Sequence, residues 1–193
     1  MQFILTGAAL LSIFAAVKAG RSWSKTVSVI LGLLWLWMGA VYHLMFFSLI
    51  NPAATVFGIM FILQAAIFFY AGALRDDLTF RFRPCVLGFA GILLLIYALV
   101  AYPLLGFVYG HVYPYSPTFG LPCPTVIFTF ALLLWSDKKV PLYVLPIPLI
   151  WSLIGFSAAI LLGICEDIGL LIAGVLAVSL LLWSRRKEQP ASR

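Results

Sequence analysis

The chain has 193 residues, of which 64% are hydrophobic and only 9% are charged. A soluble domain usually carries about a quarter of charged residues, so this composition excludes an ordinary water-soluble globule. Sixteen phenylalanines, eight tyrosines and six tryptophans are also too many for a disordered chain, which is poor in aromatic residues. The composition therefore predicts an all-α, polytopic membrane protein.

Charged residues and clusters of proline and glycine divide the chain into seven apolar segments. They are 2–17, 26–50, 52–74, 85–109, 122–135, 140–163 and 167–184. The first has no basic region or small-residue cleavage site, so we expect a retained helix and not a signal peptide. The fifth is short of the roughly 20 residues that cross the hydrocarbon; we expect it to start nearer Thr118 or to be a half-helix entered by a re-entrant loop.

The twelve lysines and arginines decide the orientation, because cytoplasmic loops are enriched in them. They all fall in alternate connections and in the tail: Lys18, Arg21 and Lys25; Arg75, Arg81 and Arg83; Lys138 and Lys139; Arg185, Arg186, Lys187 and Arg193. This pattern predicts an outside N-terminus, one seven-helix domain over 1–184 and a basic cytoplasmic tail over 185–193. The net charge of +6 is then explained by the interaction of these basic residues with anionic lipid headgroups. It does not require nucleic acid as a partner.

A shift of 116 residues aligns parts of the chain with each other without a gap. The matched positions are Trp35 with Trp151, Gly39 with Gly155, Asn51 with Asp167 and Gly58 with Gly174. Spans one to three would then correspond to five to seven, with span four as a linker. Transporters built from such 3+1+3 parallel halves bind their solute between two three-helix bundles.

Polar side chains in apolar segments are the first candidates for function, because each costs free energy in hydrocarbon. They cluster on the predicted outer side, where Glu166 and Asp167 are the charged residues and His43 precedes Asn51 by eight residues on span two. The predicted solute-binding residues are His43, Asn51, Tyr102, His111, Cys123 and Glu166.

Most of these residues also have a purely structural interpretation. Asn51 followed by Pro52 is a typical helix cap, and Asp167 suits the N-cap of span seven, which leaves Glu166 to attract a cation or pair with His111. His43 could donate one hydrogen bond to a neighbouring helix carbonyl. The proline-rich segment 110–124 could be a stiff lid over an outward cavity, or an interfacial turn whose tyrosines, Tyr109, Tyr113 and Tyr115, belong to the aromatic belt.

The sequence offers little for catalysis or a metal site. Cys85, Cys123 and Cys165 have no paired spacing, and GxSxG, P-loop and GxGxxG motifs in their required context are absent. No enzyme is expected and no cofactor can be named. With two histidines in the chain, a metal or haem would use His43 and His111, and a metal site would also need Cys123, Cys165, Glu166 or Asp167.

Several strings resemble a family of bacterial integral membrane proteins that is catalogued as a domain of unknown function. They are LLWLWMGAVYH (33–43), FFSLINPAA (46–54), YPLLG (102–106), PTFGLPCPT (117–125), IFTF (127–130) and IWSLIG (150–155). The resemblance implies a multi-pass protein of the bacterial cytoplasmic membrane and no particular activity. Proline is more usual in that family where Cys165 stands, which argues against Cys165 as a ligand.

Three hypotheses follow. The leading one is a small-solute or ion permease with an outward-facing polar site. The alternatives are a metal- or haem-binding protein with a redox role, and a structural subunit of a membrane complex. The solute and any homo-oligomer are left open by the sequence.

Overall fold

A computed structural model describes residues 1–111 and 117–187, and within them the chain is helical. The helices are α1 Gln2–Lys18, α2 Arg21–Leu49, α3 Ala54–Leu74, α4 Val86–Val108, α5 Pro122–Leu134, α6 Leu142–Leu161 and α7 Cys165–Lys187. In these ranges the extended pairing is limited to isolated bridges, between Phe80 and Ser136 and between Phe119 and Leu121. The predicted all-α class is confirmed.

Five of the described helices, α2, α3, α4, α6 and α7, are long and apolar enough to cross a membrane, whereas α1 and α5 are shorter apolar helices. Most helix ends fall close to the predicted ends. The largest difference is at α2, which begins at Arg21 and not at residue 26. A charged first turn is compatible with a membrane helix because long cationic side chains extend towards the interface.

The short helix α5 lies inside the protein. Every residue from Pro122 to Leu134 is buried except Cys123, because α4, α6 and α7 surround it and Trp35 of α2 donates a hydrogen bond to Thr129 Oγ1 at 3.0 Å. The helix begins at Pro122 and not at Thr118. A helix of about 20 Å is shorter than the bilayer is thick. This length is tolerated because the other helices cover it and its ends do not face lipid.

The described helices form two groups. In the first, α1 packs on α2 and α2 on α3; in the second, α4 packs on α5, and both α5 and α6 pack on α7. Gln64 of α3 joins the groups through a hydrogen bond from Nε2 to the Val144 carbonyl at 3.1 Å.

Three of the long helices contain π-helical turns, at Met38–Phe46 in α2, Phe69–Leu74 in α3 and Tyr97–Ala101 in α4. The turn in α4 has a local cause: Pro103 has no N–H and its ring collides with the carbonyl four residues earlier. Such bulges often occur at functional sites.

The basic connections meet at one end of the bundle around Asp76. Its carboxylate accepts a hydrogen bond from Arg21 at 2.6 Å and lies 3.5 Å from Lys25 Nζ, and its backbone carbonyl accepts one from Lys138 Nζ at 2.9 Å. Arg83 pairs with Asp137 nearby. Loops from three different connections are therefore held together at this end.

Candidate functional site

A cavity of about 550 Å³ opens between the two helix groups at the end away from Asp76. It lies within the range of roughly 300–1,000 Å³ of small-molecule sites. One wall comes from α2 and α3, and the other from α4, α5, α6 and the start of α7. The lining residues that matter here are Tyr42, His43, Phe47, Asn51, Phe57, Tyr102, His111, Pro117, Cys123, Trp151, Ile154, Gly155, Ser157, Glu166 and Asp167.

All six predicted binding residues lie in the lining of this one cavity. His43 and Asn51 come from the first helix group. Tyr102, His111, Cys123 and Glu166 come from the second. The polar positions of the sequence, which are spread over more than 120 residues, are thus brought to one place.

His43 is fully buried in a set of aromatic rings. Its ring centroid lies 4.8 Å from that of Phe61, 5.2 Å from Trp151 and 5.9 Å from Phe57. Within the described chain neither ring nitrogen has a hydrogen-bond partner. The hydrogen bond to a helix carbonyl that a structural role would require is therefore not made, and a buried polar ring without a partner is uncommon.

Glu166 and His111 lie within hydrogen-bond distance of each other at the cavity end of the bundle, with 2.8 Å between His111 Nδ1 and Glu166 Oε1. The Glu166 side chain is fully buried and that of His111 is 34% exposed. The second carboxylate oxygen, Oε2, is buried and has no partner in the described residues. Of the two sequence alternatives for Glu166, the structure contains the pairing with His111, and it leaves one oxygen for a further donor.

Asp167 has a partner across the bundle. It lies in the 3-10 turn Cys165–Asp167 that opens α7, and it accepts a hydrogen bond from the Tyr102 hydroxyl. Cys123 lies beside it. The N-cap role of Asp167 stays a prediction, and the structure adds a hydrogen bond from α4 that nothing in the local sequence indicates.

Asn51 makes a local turn as well as lining the cavity. Its Oδ1 accepts a hydrogen bond from the Ala53 amide at 3.0 Å, and α3 begins at Ala54, two residues after the predicted start. Asn51 therefore shapes the entry to α3 and does not cap its first helical amides. Its position in the lining is a consequence of that turn.

The described part of the 110–124 segment packs against the helices of the protein. Phe119 is buried against Phe128, with 5.2 Å between ring centroids, and Gln2 of α1 donates a hydrogen bond to Thr118 at 2.7 Å. Pro117 lines the cavity. Tyr113 and Tyr115 lie outside the described residues, so the choice between lid and interfacial turn stays a prediction.

Apart from Tyr102, the aromatic residues of the lining are not among the predicted binding residues. Trp151, Phe57, Phe47 and Tyr42 are part of the wall. Two of them stand inside strings already singled out, Tyr42 directly before His43 and Trp151 in IWSLIG. Below them Phe61 lies 4.5 Å from Trp35 and 4.8 Å from Trp151, which closes the cavity towards the basic end.

Charge separates the two ends of the bundle. Among the described lining residues of the cavity there are two carboxyl groups, Glu166 and Asp167, and no lysine or arginine. At the basic end a smaller pocket of about 160 Å³ is lined by Arg81, Arg83, Lys138, Lys139 and Arg185. The cavity is therefore an acidic, aromatic site.

The described side chains do not form a cluster of metal ligands. Within 1–111 and 117–187 no three His, Cys, Asp or Glu residues are grouped so that they could hold a metal ion. Cys85, Cys123 and Cys165 are all free thiols. His43 and His111 share the cavity but do not form a ligand cluster.

A family model described as a family of unknown function (DUF6064) matches residues 1–192. No curated protein matches the chain, and no solved structure matches it. The match covers nearly the whole sequence, including every helix and every residue of the cavity lining named above.

Proposed function

We propose that this chain, which belongs to the family of unknown function DUF6064, is a multi-pass permease that takes a small solute into the cavity between its two helix groups. The observation that carries the proposal is the cavity itself, because it unites six polar residues from distant segments with buried acceptors that lack partners. A subunit with a purely structural role would have no need of such a wall.

The location of the cavity suits transport. It lies between two packed groups, where rocking of one group against the other gives alternating access. Phe61, Trp35 and Trp151 close its inner side through ring contacts of 4.5–4.8 Å, and the π-turns of α2 and α4 lie in or next to its wall. Transport would require the aromatic contacts to separate.

The proposed threading has seven spans, the N-terminus outside and the C-terminus in the cytoplasm, in the cell membrane. It is supported by the meeting of the basic connections at Asp76, since those loops must share a side. The 116-residue correspondence stays a prediction: α1 packs on α2, whereas its counterpart α5 packs more on α4 and α7 than on α6. The proposed function does not depend on the repeat.

Two exposed cysteines can test the threading. Cys165 lies at the cavity end and Cys85 at the basic end, and both are exposed. In a Cys123→Ser background, a membrane-impermeant maleimide applied to intact cells is expected to label Cys165, and Cys85 only after permeabilisation. The variants Cys85→Ser and Cys165→Ser identify each signal. Labelling of both from the same side would contradict the threading.

Transport is tested with purified protein in liposomes and a panel of labelled solutes: small amines, amino acids, sugars and inorganic ions. We expect uptake of at least one class above that of empty liposomes. Ser157→Trp, at an exposed position of the lining, should abolish it by obstructing the cavity, whereas Ile160→Trp, 67% exposed on the same helix but outside the lining, should not. Uptake of none of the panel, or equal uptake by both variants, would show the permease proposal to be wrong.

A metal- or haem-binding role is not favoured by any particular observation. An absorption spectrum and elemental analysis of the purified protein, compared with His43→Ala, give a direct test. A stoichiometric metal or a Soret band that is lost in the variant would replace the permease proposal.

A further inference from the structure

The described lining of the cavity contains two carboxyl groups and no lysine or arginine. Glu166 is paired with His111, while Asp167 accepts a hydrogen bond from the uncharged Tyr102 hydroxyl. Within the described lining there is no lysine or arginine beside these two carboxyl groups. Burying carboxylates without a counter-charge is costly, so a ligand that carries a positive charge would be stabilised here and an anion would be repelled.

The unpartnered atoms are mainly acceptors. Glu166 Oε2 can only accept when ionised, and neutral His43 has one acceptor nitrogen and one donor. Both residues are at most 1% exposed, and neither of these atoms has a partner in the described chain. What the wall lacks is an N–H donor, which a protonated amine supplies in several directions.

Aromatic rings form the rest of the wall. Phe57 and Trp151 lie edge to face with ring centroids 5.4 Å apart, and Tyr42 and Phe47 stack at 5.7 Å. The faces of such rings attract cations, and their bodies accept apolar groups. A polyhydroxylated sugar would leave its hydroxyls without partners on this surface.

The size of the cavity argues for an organic ligand. About 550 Å³ far exceeds an inorganic cation, and the described residues offer no cluster of acidic or other metal-binding side chains to surround one. Resting on the proposed binding site, we infer that the solute is a protonated amine with an apolar body, its ammonium held near Glu166 and its body against the aromatic rings.

Three probes of nearly one shape separate charge from hydrophobicity. They are 2-phenylethylamine, which is a cation at neutral pH, neutral 2-phenylethanol and anionic 3-phenylpropionate. Binding to the full chain in lipid nanodiscs is measured by equilibrium dialysis, with empty nanodiscs as the blank. We expect the amine to bind at least about tenfold more tightly than the alcohol and the propionate not to bind.

Glu166→Gln keeps the shape of the side chain and removes its charge. It should weaken amine binding about tenfold and leave alcohol binding unchanged. Asp77→Asn, which changes an acid at the opposite end, should alter neither. Phe57→Leu keeps an apolar wall without a ring and, should the Gln variant not fold, gives an independent test: amine binding should fall about fivefold with alcohol binding retained.

Equal affinity for amine and alcohol in the wild type, or an undiminished amine affinity in Glu166→Gln, would overturn the inference. In that case the effect of Ser157→Trp on uptake still tests whether the cavity is the transport site. The permease proposal and the inference of an amine solute can therefore be rejected independently. If the alcohol alone binds and Ser157→Trp abolishes its binding, the site exists and takes neutral apolar solutes.

Discussion

Tyr102 and Asp167, 65 residues apart in the sequence, are joined by a hydrogen bond from the phenol hydroxyl to the carboxylate. Tyr102 is 3% exposed and Asp167 is 4% exposed. The bond connects α4 to the beginning of α7 beside the cavity, and it gives this buried carboxylate a donor from a distant part of the chain.

Tyr102→Phe is expected to destabilise the protein, because it removes the donor and leaves the Asp167 carboxylate without it. The cost should be about 1–3 kcal/mol, measured as a shift in unfolding by dodecyl sulfate in mixed micelles. The matched control is Tyr143→Phe, whose hydroxyl lies 3.4 Å from Asp77 at an exposed position. An equal effect of the two variants would contradict a special role for the buried pair.

The bond between Trp35 and Thr129 gives a second prediction. Trp35 Nε1 donates to Thr129 Oγ1 in a fully buried setting, at 3.0 Å. Thr129→Val keeps the side-chain shape but leaves the buried indole N–H of Trp35 without an acceptor. We therefore expect a loss of about 1–3 kcal/mol in the free energy of unfolding. Thr26→Val removes an exposed hydroxyl that bonds to its own helix and should cost far less in the same unfolding assay.

Close approach of α2 and α3 depends on Gly39. A Cβ at this position would lie 2.8 Å from the Gly58 carbonyl oxygen and 2.8 Å from Ile62 Cγ1. Gly39→Ala should therefore force the helices apart and cost about 1–3 kcal/mol, seen as a lower melting temperature.

Gly7 is the matched control for Gly39, since a Cβ there meets no atom within 4 Å. Gly7→Ala replaces glycine by a better helix former and should be neutral or stabilising by up to about 1 kcal/mol. A melting temperature that falls equally in both variants would show that contact with Gly58 is not the cause.

The junction at Asp76 predicts a dependence of stability on pH. The hydrogen bond from Arg21, with the charges of Arg21 and Lys25, lowers the pKa of the Asp76 carboxyl below its ordinary value. The junction therefore contributes fully above the unfolded-state pKa of about 3.9, and the contribution is lost as the pH falls through the lower folded-state pKa.

Asp76→Asn should remove this acid-dependent component. Asparagine also tolerates the left-handed backbone found at Asp76, with φ of 55°, so the substitution changes the charge and not the turn. The measurement is the melting temperature between pH 3 and pH 6 for both proteins. Parallel curves over this range would contradict the assignment.

The polar candidates could be found from the sequence because each is rare in an apolar chain. His43, His111 and Glu166 stand out for this reason, and the pairing of the last two was among the alternatives. The aromatic wall could not be found in the same way: Phe57 and Trp151 look like any other aromatic residues among thirty, and only their three-dimensional placement gives them a common cavity.

Helix positions followed from the apolar runs, whereas partners across the bundle did not. Asp167 before an apolar run has the local pattern of an N-cap, and nothing in the neighbouring sequence indicates that Tyr102 will lie beside it. The burial of α5 could not be predicted from the sequence either, because a buried helix and a lipid-facing helix have the same apolar composition.

The burial of α5 has a consequence for biogenesis. Because α5 has almost no surface for lipid, it depends on packing against α4, α6 and α7. Of these helices, α6 and α7 are synthesised after it. Its 13 residues are too few to hold a stable position across the bilayer unaided. Chains that end before α7 should therefore leave this segment without neighbours, and a truncation of the last helix is expected to remove the whole protein from the membrane through quality control.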